Sequence, residues 1–370
     1  MRPLRIAVVT NIPTPYRDGV YETLARTPGT DLCVFYCREA EPNRHWKPAE
    51  RRYNSVTLST FAVLYADQYV HLGTGIWREL SHFDPDVVFT SGYGPVMLQA
   101  FLWCLYKSTP HIPFTDGTPL TEAGLTWLHR QVRRIVFSRS VAFVGASHKS
   151  LELFRKYGIK DERLFESCLC VDNSQYLPRH GDQKLYDVMF CGQLIPRKMP
   201  YFFVEVVNEL ARRMSKCRVL VVGTGSAEES VRTALKALPN VELTMPGFVQ
   251  PQDLPNYYRS SKVFVFPSAQ DAWGVVANEA AAAGLPQITT PETGVAHELV
   301  QNGINGFVLP PNQLAWADAI SDVLNDNEKY ARMVEASLHV VGSYTFERAA
   351  NGLLQATLYA LRPRGAVVNL

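Results

Sequence analysis

The chain is poor in the features that mark membrane, nucleic-acid and metal-binding proteins. No segment of its 370 residues approaches the about 18 uninterrupted apolar residues of a membrane-crossing helix. Its 37 cations and 35 acids leave a formal charge of +2, too small to imply a nucleic-acid partner. Seven cysteines, an odd number, lie scattered without C-x-x-C or His/Cys ligand spacing. That pattern excludes a disulfide framework and a metal knuckle, and it fits reduced thiols in a cytoplasmic protein. The opening MRPLRIAVVTNIP lacks the long apolar stretch of a signal peptide, because its apolar run ends in Asn-Ile-Pro. No low-complexity tract is present.

What is there is a large, ordinary globular composition: 46% hydrophobic and 19% charged residues, enough for two cores. Short, continuous, β-branched runs alternate with longer helical patterns. LRIAVVT (4–10), DLCVFYC (31–37), PDVVFTSG (85–92), HIPFTD (111–116) and VAFVGAS (141–147) form one series. YDVMFCGQ (186–193), CRVLVVGTG (217–225), VELTMPGF (241–248), VFVFPS (263–268) and PQITT (286–290) form a second. Such runs between helices predict parallel strands covered on both faces, hence an α/β protein of two Rossmann-like, doubly wound domains. The polar stretch 170–186 reads as the linker. The boundaries expected are 1–175 for the first domain and 176–344 for the second, with a C-terminal helix, about 345–370, packing back on the first. Sheets of this kind bind ligands at the carboxyl ends of their strands, which predicts a cleft between the domains.

The stretch DAWGVVANEAAAAGLP (271–286) follows the run VFVFPS. Gly274 should stand at the start of a helix whose free N–H groups and dipole attract an anion. Val275 and Val276 then offer amides without competing side chains. Glu279, a turn or more inside, suits the two hydroxyls of a ribose. The plain alternative is a capping Asp271 and an exposed Glu279. Arg197 and Lys198, after a strand and before the helix YFFVEVVNELARR, are placed to grip a diphosphate. Gly223 and Gly225 form a strand-to-helix turn that lacks the third glycine of a dinucleotide fingerprint. Asp84-Pro85-Asp86 reads as a turn cap. WLHRQVRRIVFSR (127–139) is a basic helix with interleaved apolar residues, open to two readings: an ordinary amphipathic helix, or peripheral contact with anionic lipid.

In order along the chain, NIPTPYRDGVYETLA (11–25), GASHKSLELFRKYGI (145–159), FCGQLIPRKMPYFFVEVVNEL (190–210), PGFVQPQDLPNYYRSSKVFVFPS (246–268), the D-x7-E of 271–279 and ETGVAHELVQNGINGFVLPP (292–311) resemble the retaining GT-B glycosyltransferases, in particular glycosyltransferase family 4. The resemblance implies a GT-B fold and metal-independent transfer of a hexose-like sugar. The donor would be a nucleoside-diphosphate sugar of UDP or GDP type, and the acceptor a hydroxyl of a saccharide, glycolipid or other glycoconjugate. Arg197, Lys198 and the amides at Gly274–Val276 would carry the leaving diphosphate. Glu279 would bind ribose and Asp271 would read the donor sugar. Gly223 and Gly225 would let the nucleotide approach, and the backbone of Val249, beside Phe248, would meet the base. Asp116, at the end of the strand HIPFTD, would orient the acceptor or take its proton, with Glu122 second to it. Tyr16, Arg17 and Gly19 would line the cleft. Neither a cofactor nor a metal is expected. Asp271 stands where the family has Glu, and Gln193 and Met199 stand where it has Arg and Gly. Two other readings stay open: an epimerase or phosphorylase of the same fold, and a nucleotide-sugar-binding module without catalysis.

Overall fold

The structure, a computed structural model, describes residues 2–42, 46, 50–65 and 68–362. It divides into two compact units, one running up to Leu169 and joined by the segment from Phe346, the other Cys170–Thr345.

The first unit opens with β1 (Leu4–Thr10), α1 (Pro15–Ala25), β2 (Thr30–Tyr36) and β3 (Asn54–Thr57). A hairpin, β4 (Phe61–Tyr65) with β5 (Gln68–Leu72), precedes α2 (Ile76–Phe83), β6 (Val87–Ser91) and α3 (Pro95–Lys107). Then come β7 (His111–Thr115), α4 (Pro119–Ala123), α5 (Trp127–Arg139), β8 (Phe143–Gly145), α6 (His148–Lys156) and β9 (Leu164–Glu166). Seven strands form one sheet in the order β3-β2-β1-β6-β7-β8-β9, every neighbouring pair parallel. The middle of β1 is buried on both faces, which is why its apolar run is continuous and not alternating. Right-handed crossovers put α3, α5 and α6 on one face, because β6 to β9 advance in one direction. The step from β1 to β2 runs the other way and puts α1 on the opposite face. There α14 (Phe346–Ala360) joins it: a Cβ on Gly19 would lie 2.3 Å from the Phe346 ring. Residues 363–370 of the expected C-terminal helix lie outside the described residues.

The second unit contains α7 (Asn173–Tyr176), β10 (Tyr186–Cys191), α8 (Pro200–Ala211), β11 (Cys217–Val222), α9 (Glu228–Lys236), β12 (Val241–Gly247) and α10 (Leu254–Arg259). It continues with β13 (Ser261–Phe266), α11 (Val275–Ala282), β14 (Gln287–Thr289), β15 (Gly306–Val308), α12 (Gln313–Asn325) and α13 (Asn327–Val341). Its six-stranded parallel sheet has the order β12-β11-β10-β13-β14-β15. The order reverses between β10 and β13, so the loops leaving those two strands flank a topological switch point. Val188, Phe190, Val219, Val221, Val263 and Val265 fill the core beneath, with Phe203 of α8 and Trp316 of α12.

Two sequence expectations need correction. The stretch 170–186 is more than a linker: Asp172 caps α7, accepting from Ser174 N at 3.1 Å, and Tyr176 is buried. The strands β3, β9 and β15 and the β4–β5 hairpin were not expected, because their runs are short or half-polar. Asp86 behaves as the expected turn residue, accepting from Arg2 Nη2 at 2.5 Å and Arg5 N at 2.9 Å. Among the described residues no helix is long and apolar enough to cross a membrane.

Candidate functional site

At the switch point of the second unit, the loop after β10 ends in a 3-10 turn, Pro196–Lys198, that carries both predicted cations. Backbone pairing fixes this turn beside the loop after β13. Ala269 N donates to Arg197 O at 2.9 Å, Ser268 Oγ donates to the same carbonyl at 3.2 Å, and Arg197 Nη1 donates to Gln270 O at 2.8 Å. Met199, the next residue, adopts φ 46, a left-handed conformation that a side chain takes at a cost of about 1–2 kcal/mol. That is where a glycine would be free of strain.

Lys198 is half-buried against the ring of Phe266, its Nζ 4.9 Å from the centroid, and it pairs directly with Asp271. Burial lowers the pKa of its ammonium and the Asp271 carboxylate opposes that shift. Arg197 stays half-exposed, 3.9 Å from the same carboxylate. Asp271 thus sits between two cations, and it also accepts from Trp273 N at 3.3 Å. Its backbone is pinned by Gly294 N, which donates to Asp271 O at 2.9 Å. Gly294 permits this: a Cβ there would lie 1.9 Å from Ala272 O.

Gly274 precedes α11 at φ 101, and a Cβ would meet the Phe266 ring at 2.4 Å. The glycine is therefore required by the ring behind it as well as by the turn. No side chain caps α11, and its first turn holds no acid. The amides of Val275 and Val276 stand at that uncapped end, the electropositive end of the helix dipole. Behind them Trp273 is buried, its Nε1 donating to Asn278 Oδ1 at 2.7 Å, which locks the helix to the turn that precedes it.

Glu279 lies one turn further on. Its Oε2 accepts from the Tyr258 hydroxyl at 2.7 Å, and Tyr176 donates to the same carboxyl group. Burial raises its pKa to about 7, and the two phenols oppose the shift without cancelling it. The residue keeps some exposed surface. This is not the exposed acid of the plain alternative: two buried tyrosines hold it from the protein side. Neither was singled out in the sequence. Tyr258 lies in NYYRSSK, where two adjacent tyrosines give no sign of which faces inward, and Tyr176 sits in the presumed linker.

Gly223 and Gly225 are pressed against the loop that follows β10. A Cβ on Gly223 (φ 128) would lie 1.9 Å from Gly192 O, and one on Gly225 would lie 2.4 Å from Leu194 O. Their bare α-carbons admit the neighbouring loop. Val249 is half-buried just past β12, beside the exposed Phe248.

In the first unit, Asp116 is exposed immediately after β7. Tyr16 is half-buried in the first turn of α1. Three other predicted cleft residues are committed to packing. Arg17 is buried, donates to Ser167 O and Ser167 Oγ at 3.2 Å each, and stacks 4.4 Å over Phe114. Gly19 faces the Phe346 ring, as described above. Glu122 pairs with Arg133 Nε at 3.1 Å and accepts from the Tyr157 hydroxyl. Arg17, Gly19 and Glu122 therefore shape the unit from within.

Residues 178–340 match the family described as glycosyl transferases group 1. The chain is 30% identical over 184 residues to a D-inositol 3-phosphate glycosyltransferase of Nocardia farcinica, covering 47% of this chain and 40% of that protein. It is 30% identical over 179 residues to spore coat protein SA of Bacillus subtilis, covering 45% of this chain and 47% of that protein. The chain spans about half the length of the curated relatives it matches. Among solved structures it resembles HepE of Anabaena in complex with UDP and glucose, with a TM-score of 0.73 at 16% identity over 97% of this chain and 100% of that one. It also resembles WaaG, a glycosyltransferase involved in lipopolysaccharide biosynthesis, with a TM-score of 0.66 at 16% identity over 98% of this chain and 100% of that one. At such identities the likeness is one of fold, and that fold is GT-B.

Proposed function

We propose that the chain, whose residues 178–340 match the glycosyl transferases group 1 family, transfers a hexose-like sugar from a nucleoside-diphosphate sugar to a hydroxyl of a saccharide, glycolipid or other glycoconjugate. The observation that carries this reading is the backbone clasp between Arg197 and residues 268–270. It holds two cations beside the uncapped start of α11, with a tyrosine-held carboxyl one turn behind. Cations and helix amides suit a pyrophosphate, and a carboxylate suits vicinal ribose hydroxyls.

In this reading the glycosidic bond to the diphosphate breaks while negative charge builds on the leaving group. Arg197, Lys198 and the Val275 and Val276 amides offset that charge from fixed positions, without reorganisation at the moment of reaction. Incoming phosphate oxygens compete with Asp271 for Lys198, which releases the Asp271 carboxylate toward the sugar. Transfer proceeds on one face of the sugar with retention and without a metal. The departing phosphate takes the acceptor proton and Asp116 orients the acceptor. UDP is the first nucleotide to test, since solved structures of this fold carry it.

A thermal-shift screen of UDP, GDP, ADP and CMP tests the donor site. One nucleotide should raise Tm with concentration, and saturation at about 100 times Kd corresponds to about 2.7 kcal/mol. No shift with any nucleoside diphosphate would overturn the reading. Anomeric analysis of the product tests retention, and activity in EDTA tests the absence of a metal requirement.

A further inference from the structure

We infer that the outer face of α3 and α5 in the first unit docks on an anionic lipid bilayer. The two helices share one cluster, in which Phe101 and Leu98 of α3 meet Val132, Val136 and Phe137 of α5. That contact fixes which sides point outward. On α5 the outward side carries Trp127, Leu128 and Ile135, exposed at 72%, 63% and 60%. Leu128 and Ile135, seven residues apart, fall on one stripe of the helix. Leu102 and Leu105 of α3 are exposed as well, adjoining the inward-facing Leu98 and Phe101 on that helix. Large apolar side chains gathered on one face mark an interaction surface, whereas scattered ones do not.

The charge around them selects the partner. Arg130, Arg134 and Arg139 are exposed on α5 and Lys107 ends α3. Neither helix contains an acid. From residue 87 to 151 the chain holds six lysines and arginines against two acids, Asp116 and Glu122, and Glu122 is paired with Arg133. Apolar side chains with a tryptophan among them, ringed by arginines and free of acids, fit the boundary between acyl chains and anionic headgroups. A protein partner of matching acidity and a second copy of this chain are the competing occupants. The second copy is disfavoured because it would set like charges against each other.

The test is flotation of the full chain with vesicles of equal parts phosphatidylglycerol and phosphatidylcholine, beside vesicles of phosphatidylcholine alone. The protein should float with the acidic vesicles and be released by salt. R134Q/R139Q should weaken that binding roughly thirtyfold, and W127S/L128S/I135S should abolish it. Arg26→Gln, exposed at the end of α1 on the other face of the sheet, should leave it unchanged. The substituted side chains are exposed, so Tm should hold in every variant. Absent binding, equal binding to neutral vesicles, or indifference to both α5 variants would overturn the inference. So would sedimentation showing a dimer that the W127S/L128S/I135S variant converts to monomer. No nucleotide enters the experiment, so its outcome is separate from that of the donor reading.

Discussion

The hydroxyl of Tyr258 points at Oε2 of Glu279 across 2.7 Å, joining the end of α10 to the middle of α11. The phenol is buried and its own pKa is pushed well above the ordinary value, so it remains a donor at every pH the protein tolerates. It therefore aims the carboxyl without exchanging a proton with it. Tyr258→Phe should raise the donor Kd by a factor of about 5 to 10, equivalent to one hydrogen bond of about 1–1.5 kcal/mol. Isothermal titration with UDP checks this, with Tm measured in parallel.

The raised pKa of Glu279, about 7 against an ordinary 4.5, sets a direction for pH. Between these values the native chain holds a proton that the unfolded chain has lost, so stability falls as pH rises through the interval and levels off above it. Ribose hydroxyls donate to the ionised form, so donor affinity should rise as pH passes through about 7. Tyr258 and Tyr176 stay protonated throughout. Glu279→Gln should flatten both profiles, read as Tm and as Kd across pH.

Lys198 is half-buried, and its charge is matched by Asp271 in the free protein. Lys198→Ala should lower kcat on the order of a hundred- to a thousandfold, the usual loss for one preorganised group on a developing anion. Steady-state kinetics on the donor, with KM reported beside kcat, separates this from a loss of ground-state binding.

Gly274→Ala should destabilise the fold by about 1–3 kcal/mol, since the new Cβ meets Phe266 at 2.4 Å and φ is 101. Gly29→Ala is the control: φ is 83 there, but nothing lies within 4 Å. Urea unfolding of the two variants should show the larger loss at Gly274.

Arg17→Ala should behave as a packing variant. It removes donors to Ser167 and a ring contact with Phe114, all buried. A loss of about 2–4 kcal/mol in stability, with acceptor KM unchanged, is expected.

Much of this was legible in the sequence because parallel strands buried on both faces leave continuous apolar runs, as in β1 and β13. Arg197, Lys198, Asp271 and Gly274 could be picked out because each sits at a strand end or a helix start, where position alone implies chemistry. Tyr176 and Tyr258 could not. A buried tyrosine near a carboxylate and one in a plain core carry the same letter, and which applies depends on contacts between segments far apart in the chain. Arg17, Gly19 and Glu122 misled for the opposite reason. They lie on the helices that follow β1 and β7, but Ser167, Phe346 and Arg133 claim them from the protein side.

The segment that closes the first unit, Phe346–Ala360, is made last of all its parts. Its ring fills the space above Gly19, and its Arg348 reaches Glu166 at 2.8 Å. The second unit, Cys170–Thr345, is continuous in the chain, whereas the first is complete only with this later segment. A chain truncated after Thr345 should hold a protease-resistant second unit beside a first one that is readily cut.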